Sequence, residues 1–448
     1  MKILLKCPSR SRPAKLLSTL KTYLDMATRP NQMGVVVSCD VDDETMTSQD
    51  IQQQVVALLS HFEWNALYYS ANRNKIEACN ADIEKVDYPW DIVVLVSDDM
   101  IPQVRGYDEI IRNSMTPDLD RILWFNDGWQ GQKLNTLSIY GHAMYNRLGS
   151  MYCPEYKSFY CDTELTDLCT SELKDKTTYS PTCIIRHVHP ALGYAVANDA
   201  LYARNNRYFE EDMRTYISRK PYAFDLSILI PTLVERRLQC ERLKATLREK
   251  FARLCPGLRL EILEALDNRE LSVGLKRRNL LAAANGKYSA FIDDDDDVTD
   301  AYFEDFATCF TSKHDVMQLR GQMGDHTFIH SLVYPVNGVM YKDGMFVRPP
   351  NHLNPMLADI AKMIRFDDAV RGEDLKWTID LARSGLLKSE TPTCRVHYIY
   401  TLGNRTIPAN AIEYQKTHTY DEMLNLLFAR PEPKKVGLRL SSRGFVSK

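Results

Sequence analysis

The sequence predicts an α/β protein of two tandem domains, each built on a mostly parallel, mixed sheet. Short apolar runs alternate with stretches of helical periodicity, the order that yields parallel strands joined by crossover helices. The order of parts in the first half returns in the second at offsets of roughly 200–230 residues, too long for a solenoid repeat. At 448 residues the chain also exceeds one ordinary core, since domains usually take about 100–200 residues.

In the first half, Ile3 to Leu5 reads as a strand, followed by a turn with Pro8 and Pro13. Leu16, Leu17, Leu20, Tyr23 and Leu24 then recur at helical spacing. An apolar run at Val35 to Val37 ends in the acidic SCDVDDE, a helix is expected from about Ser48 to Phe62, and Asp91 to Val96 leads to Asp98 and Asp99. SRKPYAFD reads as a linker. Beyond it come the strand Leu226 to Ile230 with Pro231, a helix over Glu235 to Leu254, and the strand Leu258 to Leu266 ending at Asp267. A further helix leads to Tyr288–Ile292, which ends in five aspartates. Pro8 thus answers to Pro231, Asp40 to Asp267, and Asp98 to Asp295. The expected boundaries are 1–222, 223–430, and a basic tail over 431–448. In parallel sheets ligands bind beyond the carboxyl ends of the strands, which is where these acids fall.

Composition excludes several classes. With 44% hydrophobic and 26% charged residues the chain is globular rather than disordered. The net charge is -3, with 24 basic against 29 acidic residues up to Tyr222 and 32 against 30 after it, so neither half advertises an extended nucleic-acid footprint. The opening apolar run is shorter than a signal-peptide core, and no stretch reaches the ~18–20 apolar residues of a membrane span. A soluble, cytoplasmic protein is expected. Eleven scattered cysteines without a CxxC pair read as reduced, mostly buried thiols.

ELSVGLKRRNLLAAANGKYSAFIDDDDDV is the most informative stretch. Carboxylates crowded at the end of a buried strand repel one another, and a divalent cation relieves that repulsion while neutralising the charge of a bound diphosphate. Asp293 and Asp295, one residue apart on a strand end, project to the same side. A solvated acidic loop is the competing reading, whereas a calcium loop of the EF-hand kind lacks its glycine and closing glutamate here.

The order IPT, a strand ending in Asp267, Gly274 with Arg278 and Asn279, FIDDDDDV and then GED resembles glycosyltransferase family 2, inverting enzymes of the GT-A fold, over roughly Leu226 to Thr401. The resemblance implies two tandem GT-A-like, Rossmann-like domains and a UDP- or GDP-sugar donor used with Mn²⁺ or Mg²⁺. It implies that Thr232 and Asp267 contact the nucleotide and that Arg278 lies near the donor. Asp293 and Asp295 become the DxD pair, with Asp295 the metal ligand, although Asp294 or Asp296 shifts that register by one residue. Asp374, the second acid of the ED pair, becomes the general base; ordinary first-turn acids favoured by the helix dipole are the alternative. His397 is a candidate third metal ligand or a core histidine. The VRPPNHLNP loop offers Asn351, His352 and Asn354 to a sugar.

In the first half, KCPSRSRP resembles the first-strand loop of related transferases, with Arg10 or Ser9 toward the nucleotide. Asp40 stands where a base-reading carboxylate is expected, and Lys75 and Asn80 stand opposite Lys276 and Asn279. Asp98 answers to the metal ligand, but Val96 replaces the first DxD acid. Asp162 and Glu164 are candidate bases, and His187 and His189 alternate on one strand face as candidate metal ligands. Both a second active site with an altered metal shell and a domain kept for binding fit this half. A nucleotidyltransferase and a catalytically silent binding module are the competing functions; the former usually carries a glycine-rich basic phosphate loop that neither CPSRSRP nor IPTLVERR supplies. The arrangement is similar to glycosyltransferases encoded by bacteriophages and large viruses, which leaves the acceptor a glycan, a protein or a hydroxymethylated DNA base.

Overall fold

The computed structural model describes residues 1–71, 73–188, 200–334, 341–342, 345–401, 440–441 and 444–445. It divides into two compact units, Met1–Lys220 and Pro221–Lys448. The five basic residues of the expected tail lie outside the described residues.

In the first unit the strands are β1 (Ile3–Pro8), β2 (Met33–Asp40), β3 (Trp64–Ser70), β4 (Ile92–Leu95), β5 (Met100–Pro102), β6 (Ile122–Phe125), β7 (Ile139–Gly141), β8 (Thr177–Ser180) and β9 (Ile185–His187). The helices are α1 (Pro13–Met26), α2 (Gln49–Leu59), α3 (Lys75–Asn80), α4 (Tyr107–Ser114), α5 (His142–Leu148), α6 (Cys161–Thr170), α7 (Ala200–Asn206) and α8 (Phe209–Arg219). The main sheet runs β3-β2-β1-β4-β7-β6-β8. Its first four strands are parallel, and β7 enters antiparallel between β4 and β6. Helices pack against this sheet, α3 on β1 and α5 on β4 and β7, and β2 and β4 are buried along their whole length.

The second unit repeats the central order. Its strands are β10 (Phe224–Leu233), β11 (Leu260–Asp267), β12 (Gly286–Phe291), β13 (Asp297–Val298), β14 (Val316–Met317), β15 (Leu319–Met323), β16 (His326–His330), β17 (Tyr341–Lys342), β18 (Met345–Arg348), β19 (Met356–Leu357), β20 (Glu390–Thr391) and β21 (Tyr398–Tyr400). Its helices are α9 (Arg237–Leu254), α10 (Val273–Ala283), α11 (Asp300–Thr311), α12 (Ala358–Ala361) and α13 (Glu373–Ser384). The main sheet runs β11-β10-β12-β19-β14-β20, with β10 parallel to both neighbours and β19 antiparallel beside β12. Parallel β2-β1-β4 followed by antiparallel β7 is therefore matched by parallel β11-β10-β12 followed by antiparallel β19. In both units a short strand after the acidic turn pairs antiparallel with a late strand, β5 with β9 and β13 with β21. A second sheet, β13-β21-β15-β16-β18-β17, was not legible in the sequence.

All eleven cysteines are free, and eight of them are buried. Among the described residues no helix is long and apolar enough to cross a membrane.

Within the apolar β1 one position breaks the pattern. Lys6 is fully buried, with its ammonium donating to Ser38 Oγ, which in turn donates to Asp82 Oδ2 at 2.6 Å. Arg73 and Lys85 hold the same carboxylate at 3.2 and 2.7 Å. Burial dominates, lowering the Lys6 pKa from 10.5 to about 8 despite the nearby Asp82. The unfolded chain therefore binds a proton that the folded chain has released between about pH 8 and 10.5, and stability rises with pH across that window. Lys6→Met, which leaves the Ser38–Asp82 bond in place, is expected to remove a rise of about 3 kcal/mol. Urea unfolding of wild type and variant across the window measures the difference; parallel profiles would refute the assignment.

Candidate functional site

In the second unit the five aspartates leave β12 and turn toward β13. Their side chains alternate: Asp294 and Asp296 are buried, at 4% and 7% exposure, whereas Asp293 and Asp295 keep 28% and 35% of their side chains exposed. Asp293 and Asp295 thus share the outward side. Asp294 accepts from Thr232 Oγ1 at 2.6 Å and from Arg236 at 2.8 Å, and Asp296 accepts from Tyr398 Oη at 2.7 Å and the Thr401 amide at 2.8 Å. Both inner acids serve as struts. Burial and the neighbouring carboxylates raise the Asp296 pKa to about 6 even against those two bonds.

Three basic side chains converge on this run. Arg236, in the turn between β10 and α9, places Nη1 at 2.8 Å from Asp294 and 3.0 Å from Asp295. Arg277, on α10, reaches Asp293 at 3.0 Å and lies 3.8 Å from Glu373, with its guanidinium over the Phe291 ring. Lys276 donates to the Thr232 carbonyl at 2.7 Å and pairs with Asp267, tying the ends of β10 and β11 together. The amides of Leu271 and Arg269 also donate to Asp267, and although burial opposes its charge, these bonds and Lys276 hold its carboxyl below the usual range.

α10 reaches the acids because Gly274 has no side chain. A Cβ there would lie 2.0 Å from the Asp367 carbonyl, and its amide donates to Ala369. The same loop is fixed to α13 by Trp377, stacked on Phe366 at 5.0 Å and bonded to the Ile364 carbonyl. Gly372 adopts the left-handed φ of +77° that starts α13, setting Glu373 and Asp374 in its first turn. Glu373 is buried against Arg277. Asp374 is half-buried, and its carboxylate takes no hydrogen bond among the described residues; burial raises the Asp293 pKa, and the nearby Asp295, Asp294 and Asp374 add to the rise against Arg277.

Other expected site residues have partners within the fold. Thr232 has its hydroxyl committed to Asp294, so it shapes the acidic turn from inside rather than facing outward. Arg278 bonds the Phe366 carbonyl at 3.0 Å, and the guanidinium that meets Asp293 belongs to Arg277. His397 is a core histidine: Nε2 lies 2.7 Å from Asp305, Nδ1 accepts from the Arg320 amide at 3.2 Å, and no lone pair is left for a metal. In the VRPPNHLNP loop, Asn354 is buried on His330, Asn351 and Met317, and His352 is buried beside Phe291, so neither faces a sugar.

At the corresponding strand ends of the first unit, Arg10 and Asp40 pair with each other at 2.5 Å, and Arg10 also holds Asp42. Asp98 pairs with Arg12 at 3.1 Å. Asp99, expected beside Asp98 at the strand end, lies 3.7 Å from His187 Nε2, and Asp127 lies 3.9 Å from its Nδ1. Burial opposes its charge, but nearby His187 and the hydrogen bond from Ser97 outweigh it and depress the Asp99 pKa. Asp162 stands in the first turn of α6. Burial raises its pKa, while Lys75 and His187 are close enough to oppose the rise, which puts these three in one neighbourhood. Glu164 is instead tied to Tyr156 and Arg219, and Asn80 to Tyr152. His189 lies outside the described residues. Among the described residues no group of three or more His, Cys, Asp or Glu side chains forms a metal cage in either unit.

No protein-family model and no curated sequence matches the chain. Solved structures do resemble it. A mannosyltransferase of Pyrobaculum calidifontis, in complex with GDP-Man and Mn²⁺, matches at 12% identity and a TM-score of 0.37, over 49% of this chain and 65% of that one. TarS of S. aureus matches at 13% and 0.34, over 57% of this chain and 47% of its own. The glycosyltransferase GlyE of Streptococcus pneumoniae matches at 10% and 0.28, over 69% and 89%. The chain spans less than two thirds of the first two structures.

Arg277 compensates two acids at once. Its replacement by methionine is expected to destabilise the second unit by about 3 kcal/mol near neutral pH, because Glu373 and Asp293 lose their shared counter-charge. The deficit should shrink on acidification: the carboxyl pKa values rise further in the variant, so its folded state takes up protons at higher pH than wild type. Thermal melts of Arg277→Met from pH 5 to about 8 test this, and a deficit constant with pH would contradict it.

Proposed function

We propose that the second unit transfers a sugar from a nucleotide-sugar donor, a UDP- or GDP-sugar, to an acceptor hydroxyl with inversion at the anomeric carbon. One observation carries the reading. Two outward carboxylates at a parallel strand's carboxyl end, Asp293 and Asp295, stand beside Asp374, a carboxylate at a helix start with no hydrogen-bond partner among the described residues. This pairs a cation-binding edge with a free base, the two parts that displacement of a diphosphate requires.

The residues fit a divalent cation of the Mg²⁺ or Mn²⁺ class. Their oxygens are hard ligands, and such ions are commonly held by one or two carboxylates, with the remaining positions left to phosphates and water. Asp293 and Asp295 would hold it, and when bound it supplies compensation for the charge of the departing diphosphate. Asp294, braced by Thr232, and Asp296, braced by Tyr398, keep the turn in shape without facing outward. Asp267 and Lys276 fix the ends of β11 and β10, the edge along which the nucleotide is proposed to lie. Asp374 accepts the proton of the acceptor hydroxyl as that oxygen attacks the anomeric carbon; the carbon–oxygen bond to the diphosphate breaks and the nucleoside diphosphate leaves.

The first unit, 1–222 in this reading, keeps the fold but has Val96 in place of the first acid and Arg12 on Asp98. Asp99, Asp162, His187 and Lys75 gather there, which supports either a second transfer site or a unit retained for binding donor or acceptor. The proposed acceptors are a glycan, a protein, or a hydroxymethylated DNA base.

Two variants test the second unit. Asp374→Asn keeps the shape but cannot take a proton, and is expected to retain donor affinity while turnover falls by ~10²–10⁴. Asp295→Ala is expected to lose Mn²⁺-dependent donor binding by calorimetry. Wild-type turnover by Asp374→Asn, or undiminished turnover by Asp295→Ala under chelation, would overturn the assignment.

A further inference from the structure

Arg236 contacts the residue proposed above as a metal ligand, and the contact has a counterpart in the first unit. There Arg12, in the turn after β1, pairs with Asp98, in the turn after β4; here Arg236, in the turn after β10, pairs with Asp295, in the turn after β12. The strands that deliver each pair are neighbours in the sheet, β1 with β4 and β10 with β12. The two pairs differ in burial. Arg12 and Asp98 are only 10% and 11% exposed, whereas Arg236 and Asp295 are each 35% exposed. Arg236 also has a second, buried partner in Asp294, which Thr232 holds from the other side.

We propose that Arg236 is an internal cation that competes with the divalent ion for Asp295. The inference rests on the reading of Asp295 as a metal ligand. The Asp295 Oδ2 engaged by a guanidinium at 3.0 Å is not free to ligate a metal, so an ion that takes that oxygen, alone or with Oδ1, must displace the contact. Displacement is feasible because the pair is open to water, where an ion pair adds little. Asp294 keeps the guanidinium near the acidic turn once Asp295 is released, so its positive charge stays beside the site. In the free protein Arg236 thereby offsets the repulsion within the aspartate run. In the first unit the equivalent pair is enclosed and stays closed, in line with the missing acid at Val96.

The test is titration of MnCl₂ alone, without nucleotide, into the full chain by calorimetry. Arg236→Gln is expected to bind Mn²⁺ about three- to tenfold more tightly than wild type, the worth of removing one competing half-exposed pair and its nearby charge. Arg237→Gln removes a charge one residue along that makes no contact with Asp295, and is expected to leave affinity unchanged. Asp295→Asn is expected to abolish binding in both the wild-type and Arg236→Gln backgrounds. If Mn²⁺ still bound to Asp295→Asn, the metal-site reading and this inference would fall together. Loss of binding in Asp295→Asn with unchanged or weaker binding in Arg236→Gln would sink the competition alone. So would an equal gain in Arg237→Gln, since a general field rather than a direct contact would then be at work. Arg236→Ala provides the same measurement should the glutamine variant not fold.

Discussion

Five consecutive carboxylates at the end of a buried strand set the terms for the second unit. Like charges this close cannot all face the same medium, and the chain resolves the conflict by alternation and compensation. Asp294 and Asp296 turn inward onto Thr232, Arg236, Tyr398 and an amide, while Asp293 and Asp295 turn outward against Arg277 and Arg236. Each partner comes from a different place in the chain, so satisfying the charges also fixes the turn after β10, helix α10 and strand β21 around one point. Gly274 and the Phe366–Trp377 stack then carry that arrangement to the start of α13, where Asp374 stands.

Much of this was legible because backbone order and short-range spacing are written directly into the sequence. The run of five aspartates after an apolar strand fixes both the edge of the sheet and, through its two-residue alternation, which acids share a side. The GED segment marks a helix start, and the structure places Gly372 there in a conformation that glycine adopts without strain. The alternation of apolar runs and amphipathic helices likewise gave the parallel core of both units. What escaped was the identity of the counter-ions. Arg277 and Arg278 are adjacent, and only the phase of α10 decides between them. That phase was available: Gly274, Arg277, Leu280 and Leu281 follow helical spacing, and all four are buried. The second sheet escaped for another reason. Its strands run from two to five residues, too short for periodicity to register, and they exist because their partners do.

The two units solve one electrostatic problem with different balances. In the first, each acid at the strand ends has a base beside it: Arg10 meets Asp40 and Asp42, Arg12 meets Asp98, and His187 lies near Asp99. In the second, acids outnumber the bases beside them, and Asp374 stands without a hydrogen bond among the described residues. An excess of carboxylate with an exposed edge is a cost in stability that a positively charged or metal-bearing ligand relieves, which gives the two sets of strand ends different electrostatic character despite a shared backbone plan.

Tyr398 connects the acidic turn to the second sheet. Its hydroxyl meets both the Asp296 carboxylate and the Asp293 amide, and its backbone lies in β21 against β13 and β15. Anything that tightens the turn must therefore be felt along β21. The physical trace of that link is kinetic protection: when the aspartate turn is occupied, the amide protons shared between β21 and β15 exchange with solvent more slowly, although no ligand touches them.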